Sequence, residues 1–361
     1  MNWPSHGGQP QTMKKLFNLE EEKEVLDFSA NLNPLGPPGW LKNKLHHMYE
    51  KITYYPDPFY SRSARYLADY EGVAAEQILL TNGGAEAIFL AAKLCEKGKA
   101  IIVQPAFSEY ERACRHYHVK TEYVFLKEQN GFQLPMEELL KKAGQANAVF
   151  LCRPNNPTGT VIQEESIINL LEKGLSTGTM IVVDEAFADF LPAEVPSLVR
   201  HLAHYPNLIV LRSLTKMYTI PGLRIGYMIG SKEVAGKLQE EQMPWSINAL
   251  ADAVVPDLLA DTVFLGKTRK WLEQESEKVF TSLKEMGFSV TDSKVNFYLF
   301  QDAKAPDSTE ELFGFLFKNG ILTRHTHNFP GLEGRYIRAA IRSEQENNEF
   351  LKVLRNWREK R

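Results

Sequence analysis

The chain is poor in cysteine: Cys95, Cys114 and Cys152 are its only three in 361 residues. An odd number at wide spacing makes neither a disulfide framework nor a Cys-x-x-Cys metal pair, so no metal and a reducing compartment are expected. No apolar run reaches membrane-spanning length, and the start, "MNWPSHGGQPQTMKK", lacks the apolar stretch of a secretory leader. A cytoplasmic protein with no membrane association is the expectation. An excess of one charge is missing too, since 42 Lys and Arg stand against 45 Asp and Glu. Mixed signs along the chain offer no basic face to nucleic acid, so any phosphate bound here needs a local site. Internal repeats and low-complexity linkers are also missing.

What is present is ordinary globular composition, 43% hydrophobic and 24% charged, in a chain long enough for two domains. Short β-branched runs alternate with amphipathic stretches: "QILLTN" (77–82), "AIIVQP" (100–105), "NAVFLCRP" (147–154), "GTMIVVDEAF" (178–187) and "NLIVLRS" (207–213). Runs apolar on both faces, separated by room for a helix, predict a mostly parallel sheet covered by helices, an α/β fold. After long helical patterns over 242–287, "NFYLFQ" (296–301), "GILTR" (320–324) and "GRYIRAAIR" (334–342) read as strands before a closing helix. That predicts a smaller α+β carboxyl-terminal domain. The expected division is an arm over 1–40, a large domain over 41–250 and a small domain over 251–361.

Ligands of open parallel sheets gather beyond the carboxyl ends of the strands. "TNGGAE" puts a glycine pair where a helix begins, which suits an anion, although a plain turn explains the pair equally well. "RPNNPTG" (153–159) offers Asn155 and Asn156, and again a tight turn alone would suffice. "VVDEAF" places Asp184 directly after an apolar strand, where a carboxylate needs a cation. "SLTKMYTIPGLRIGY" (213–227) brings Ser213, Lys216 and Arg224 together. Each signal is weak alone. Jointly they describe the needs of pyridoxal 5'-phosphate: Lys216 as the amine for its aldehyde, Asp184 to keep its ring nitrogen protonated, and the "GGAE" helix start, Ser213 and Arg224 for its phosphate.

The order "NNPTG", "DEAF", "SLTK" and "GLRIGY" resembles the fold-type I aminotransferase superfamily over nearly the whole chain. The resemblance implies that Asn156 bonds the cofactor's phenolic oxygen, that backbone of Gly84 and Ala85 joins the phosphate site, and that Phe107 of "PAFSEY" stacks on the ring, with Tyr110 as the fallback. It also implies a homodimer in which "ITYYPDPFY" (52–60) reaches the neighbouring site and Tyr55 touches the cofactor phosphate there. Within the superfamily the chain is similar to histidinol-phosphate aminotransferases and to the threonine-phosphate decarboxylases of cobalamin synthesis. "HGG" (6–8), "LDFSANLNPLGPP" (26–38), "QMPWSINALA" and "FPGLEGRYIRAAIRS" favour the second group. So does Phe187 in "DEAF", where the aminotransferases generally carry a tyrosine.

Arginine's planar fork suits a carboxylate or phosphate, which singles out Arg324 in "ILTRHTHNF" and Arg338 in "RYIRAAIRS". By resemblance these two bind the substrate with His6, Gly7, Asn31 and Asn156. The substrate's grip must set its carboxylate, rather than its C–H bond, perpendicular to the cofactor ring if it is to leave as carbon dioxide. The implied reaction is decarboxylation of O-phospho-L-threonine to aminopropanol phosphate, with histidinol-phosphate transamination as the alternative. A regulator that keeps the fold without chemistry is a third reading, disfavoured by the retained Lys216, Asp184 and paired arginines. His325 and His327, absent from the family's pattern, read as solvated loop residues.

Overall fold

The computed structural model describes residues 3–20, 22 and 24–360. Met1, Asn2, Glu21 and Lys23 of the expected arm, and Arg361 of the expected small domain, lie outside the described residues.

Thirteen strands occur among the described residues: β1 (Leu26–Asp27), β2 (Ile78–Thr81), β3 (Lys99–Gln104), β4 (Lys120–Phe125), β5 (Ala148–Cys152), β6 (Met180–Asp184), β7 (Leu208–Ser213), β8 (Gly226–Ile229), β9 (Phe288–Val290), β10 (Phe297–Asp302), β11 (Ile321–Leu322), β12 (Arg324–His325) and β13 (Ile337–Ala340). The large sheet runs β2-β8-β7-β6-β5-β3-β4, and only β8 is antiparallel to its neighbours. Every residue of β5 and β7 is buried, because helices cover both faces of the sheet. Two of its strands carry no sequence pattern of a covered strand. β4, "KTEYVF", is a half-exposed edge whose charges hide its period, and β8, "GYMI", is only four residues long.

Parallel pairing brings the carboxyl ends of β2, β5, β6 and β7 to one edge of the sheet. Cys152 is in register with Asp184, and Gly226 is in register with both Thr81 and Ser213. Gly226 has to be glycine, since a Cβ there would sit 2.8 Å from the Arg212 carbonyl oxygen.

The carboxyl-terminal part packs helices Thr262–Glu285 and Glu344–Glu359 with an antiparallel sheet of order β12-β13-β10-β9, whereas helix Ala249–Ala260 packs on helix Ser61–Glu71. The run at 320–324 is split: β11 pairs in parallel with β1, and β12 joins β13. The pairing of β1 with β11 ties the amino-terminal segment to this part, and Arg324 and Arg338 lie opposite each other in the β12–β13 register.

Candidate active site

A cavity of about 600 Å³ opens at the shared edge of the strands and reaches across to β12, β13 and the amino-terminal segment. Gly84, Ala85, Phe107, Asn156, Asp184, Ser213, Lys216, Arg224, His6, Gly7, Asn31, Arg324 and Arg338 all line it. Tyr55 does not; it is 83% exposed, with its ring 5.0 Å from that of Trp245.

The anion end is built on the turn between β2 and helix Gly83–Lys93. Gly83 has φ +73°, and a Cβ on it would lie 2.3 Å from Arg224 Nη2, so glycine alone lets the guanidinium lie against the turn. Glu86 accepts from the Asn82 N–H (2.6 Å), and Asn82 Nδ2 donates to the Ser246 carbonyl (2.6 Å). These bonds tie the "QMPWS" segment to the helix start. The amides of Gly84 and Ala85, in the first turn, have no carbonyl four residues back within the helix and remain donors for an anion. Ser213 Oγ and Thr215 Oγ1 stand 2.8 Å apart beside them.

Lys216 follows β7 in the short helix Leu214–Met217. Burial, helped by the positive charges of Arg224 and Arg338 and opposed by Asp184, lowers its ammonium pKa to about 8. A lysine so placed gives up its proton near neutral pH, as a reacting amine must. Asp184, at the end of β6, is buried; its Oδ1 accepts from the Ala186 N–H (2.9 Å) and its Oδ2 from Tyr110 Oη (2.7 Å). Burial raises the carboxyl pKa against the lowering by Tyr110, Ala186 and Lys216, so this carboxylate calls for a cation in the cavity.

Tyr110, the fallback for ring stacking, also lines the cavity while its hydroxyl bonds Asp184, and Phe107 meets it edge-on at 6.2 Å. Phe187 also lines the cavity, its ring packed at 69° and 4.8 Å on Phe297.

At the other end Arg338 Nη1 donates to Asn156 Oδ1 (2.7 Å) and Nη2 to the Ser29 carbonyl (2.8 Å). With its oxygen so engaged, Asn156 keeps its amide N–H group for another acceptor. Arg338 Nε and Asn31 Oδ1 are buried with no hydrogen-bond partner among the described residues, a donor and an acceptor left for a polar ligand. Burial, with Arg324 adding to it, lowers the Arg338 pKa to about 9. Arg324 is spent differently: Nη1 donates to the Pro4 carbonyl (2.9 Å), and Nη2 to the Ser5 carbonyl and to Asn328 Oδ1 (both 2.7 Å).

The residues present fit pyridoxal 5'-phosphate. The cradle at Gly83 that a Cβ would fill suits its phosphate, the buried Asp184 suits its ring nitrogen, and the Asn156 amide suits its phenolic oxygen. Tyr110→Phe should weaken cofactor binding about tenfold, the scale of one hydrogen bond to a charged group, with little change in melting temperature. Titration of the cofactor-free variant by its absorbance checks this.

A family model described as aminotransferase class I and II matches residues 23–354. The chain is similar to the threonine-phosphate decarboxylase of Salmonella typhimurium, at 35% identity over 98% of this chain and 96% of the relative. Among solved structures it is similar to the histidinol-phosphate aminotransferase of Clostridium acetobutylicum, with TM-score 0.88 and 31% identity over 93% of this chain and all of that one. It is also similar to the L-threonine-O-3-phosphate decarboxylase of Porphyromonas gingivalis, with TM-score 0.80 and 28% identity over 92% and 99% of the two chains.

Proposed function

The chain belongs to the class I and II aminotransferase family, and we propose that it decarboxylates O-phospho-L-threonine to aminopropanol phosphate, a step of cobalamin biosynthesis, with pyridoxal 5'-phosphate. The observation that supports decarboxylation over transamination is Phe187. It lines the cavity with a hydrocarbon ring packed on Phe297, at the position where the resemblance implies a tyrosine in the aminotransferases. Asn156 is then the side chain left to donate to the phenolic oxygen.

When bound, the cofactor supplies a sink for the electron pair released at the substrate's Cα. Gly84, Ala85, Ser213 and Arg224 hold its phosphate, and Asp184 holds the proton of its ring nitrogen. Phe107 and Phe187 flank it and exclude water. Arg338, oriented by Ser29 and Asn156, binds the substrate carboxylate through its unpaired Nε, and Asn31 accepts from the substrate. His6 and Gly7 close the phosphate end together with Arg324, which acts there through the Pro4 and Ser5 carbonyls. Lys216 Nζ takes up and returns a proton, delivering one to Cα after carbon dioxide has left.

The enzyme acts as a cytoplasmic homodimer in this reading. Exposed Tyr54, Tyr55, Phe59, Met243 and Trp245 form an apolar area that a second copy would cover, carrying Tyr55 to the neighbouring cofactor phosphate. No helix among the described residues is long and apolar enough to cross a membrane. The test is to supply phosphothreonine without a keto acid and measure carbon dioxide. Sustained release is the expected result, and activity only with histidinol phosphate plus 2-oxoglutarate overturns it.

A further inference from the structure

Residues 3–8 cross the mouth of the cavity as a strap, and two of the side chains that fasten it, Trp3 and Glu109, lie outside the groups assigned above to cofactor or substrate. At one end the Trp3 ring stacks on His327 (centroids 4.8 Å, 22°), lies 4.5 Å from His325 and meets the edge of Phe313 at 5.3 Å. This slot explains the two histidines after Arg324. Gly334 makes room for it, because a Cβ there would fall 2.3 Å from His327 Cε1. His325 is buried, which lowers its pKa to about 3 and keeps it neutral. Its Nε2 lies 3.0 Å from the Pro4 carbonyl, while its Nδ1 has no partner among the described residues. The same Nε2 also meets Arg324 Nη1, so the ring sits between the arginine and the strap backbone.

At the middle, Gly7 passes so close to Ser29 that a Cβ would lie 2.1 Å from the Ser29 carbonyl oxygen. The Gly8 N–H donates to Ser29 Oγ (2.8 Å), which itself donates to Asp27 Oδ1 (2.6 Å). The third fastening is His6 itself, whose Nε2 lies 3.1 Å from Glu109 Oε1. Glu109 is a buried carboxylate in the first turn of helix Glu109–His116, with Arg112 Nη1 at 3.4 Å. Carboxylates are seldom buried without a cationic or hydrogen-bonding partner, and His6 fills that role from the strap.

We propose that Glu109 and Trp3 are positioning residues: acting through the strap, they hold His6 and Gly7 over the phosphate end of the substrate cavity. The inference rests on the reading of this cavity as a phosphorylated amino acid's site. Glu109 fixes one imidazole nitrogen of His6, and so sets the position of the ring and of the Gly7–Gly8 backbone that together form the wall meeting the substrate's phosphate. Trp3, His325 and His327 set the register of that wall without touching the substrate.

The test uses the holoenzyme and the variants Trp3→Ala, Trp3→Phe, Glu109→Ala and Glu109→Gln. Trp3→Ala and Glu109→Ala should raise KM about tenfold with kcat within about twofold, at parental cofactor absorbance and melting temperature. Trp3→Phe and Glu109→Gln should recover most of the loss. Deuterium uptake over residues 5–8, measured with and without inorganic phosphate, should fall on phosphate addition in the parent and stay high in both alanine variants. Parental KM and uptake in the alanine variants, or a loss shared with cofactor binding and melting temperature, overturns the proposal. If the parent turns over histidinol phosphate and not phosphothreonine, the functional reading fails. KM for the accepted substrate and the phosphate-dependent uptake then still decide the role of the strap.

Discussion

Lys216→Ala should lower kcat by about 10⁴-fold, the upper range for a positioned proton-transfer group and a floor for one that also bonds the cofactor. The fold should survive. Burial and two neighbouring arginines disfavour the Lys216 charge, so removing the ammonium relieves a desolvation cost and leaves the melting temperature equal or higher. The same environment sets a pH dependence. A lysine amine ordinarily becomes neutral around 10.5, whereas this one does so at about 8. The cofactor-free protein should therefore take up the cofactor faster as pH rises through about 8 and level off above it. Uptake that keeps accelerating beyond pH 10 would mean the amine is not held as described. Stopped-flow absorbance provides the measurement.

Asp184→Asn should cost about 10³-fold in kcat/KM, the scale seen when a preorganised group facing a developing charge is lost. Asparagine preserves the shape and can still accept from Tyr110 or Ala186, but it carries no negative charge to hold a proton on the ring nitrogen. The stability change has the opposite sign in the cofactor-free protein. Burial raises the Asp184 carboxyl pKa above 3.8, so the folded state binds its proton more tightly than the unfolded state does. That contribution is fully present below 3.8 and is lost as pH rises through the raised value. The parent's melting temperature should accordingly fall relative to the variant's as pH climbs from 3.8 toward neutrality. Thermal melts of both proteins without cofactor check the sign.

The parts of the fold that could be read from the chain were those where one physical requirement dominates. β5, β6 and β7 are covered on both faces, so their runs are continuously apolar and end abruptly in polar residues at the edge of the sheet. That abruptness marked Asp184 and the stretch from Ser213 to Lys216. β4 escaped because an edge strand alternates with charge, and β9, "FSV", because three residues carry no period. The split between β11 and β12 depends on a partner, β1, nearly three hundred residues earlier, a pairing that local pattern does not encode.

At the site, residue types were legible and partnerships were not. Arg324 and Arg338 stood out as paired forks. Yet Arg338 spends its two terminal nitrogens on Asn156 and Ser29, while Arg324 is occupied with the backbone of the strap. Glu109 gave no sign of a role in "PAFSEY", since an acid in the first turn of a helix ordinarily just serves the helix dipole. Its burial and its contact with His6 arise only once the amino terminus folds back over the sheet. His325 and His327 read as loop residues for the same reason: the Trp3 ring they pack against lies more than three hundred positions away.

Lys216, which lines the cavity with Asp184, is the side chain expected to bond the cofactor. Borohydride reduction of the holoprotein, followed by proteolysis and mass mapping, tests it most directly. The mass of the reduced cofactor should appear on the peptide containing Lys216 and on no other. Label on a different lysine, or none at all in protein shown to contain cofactor, would contradict it.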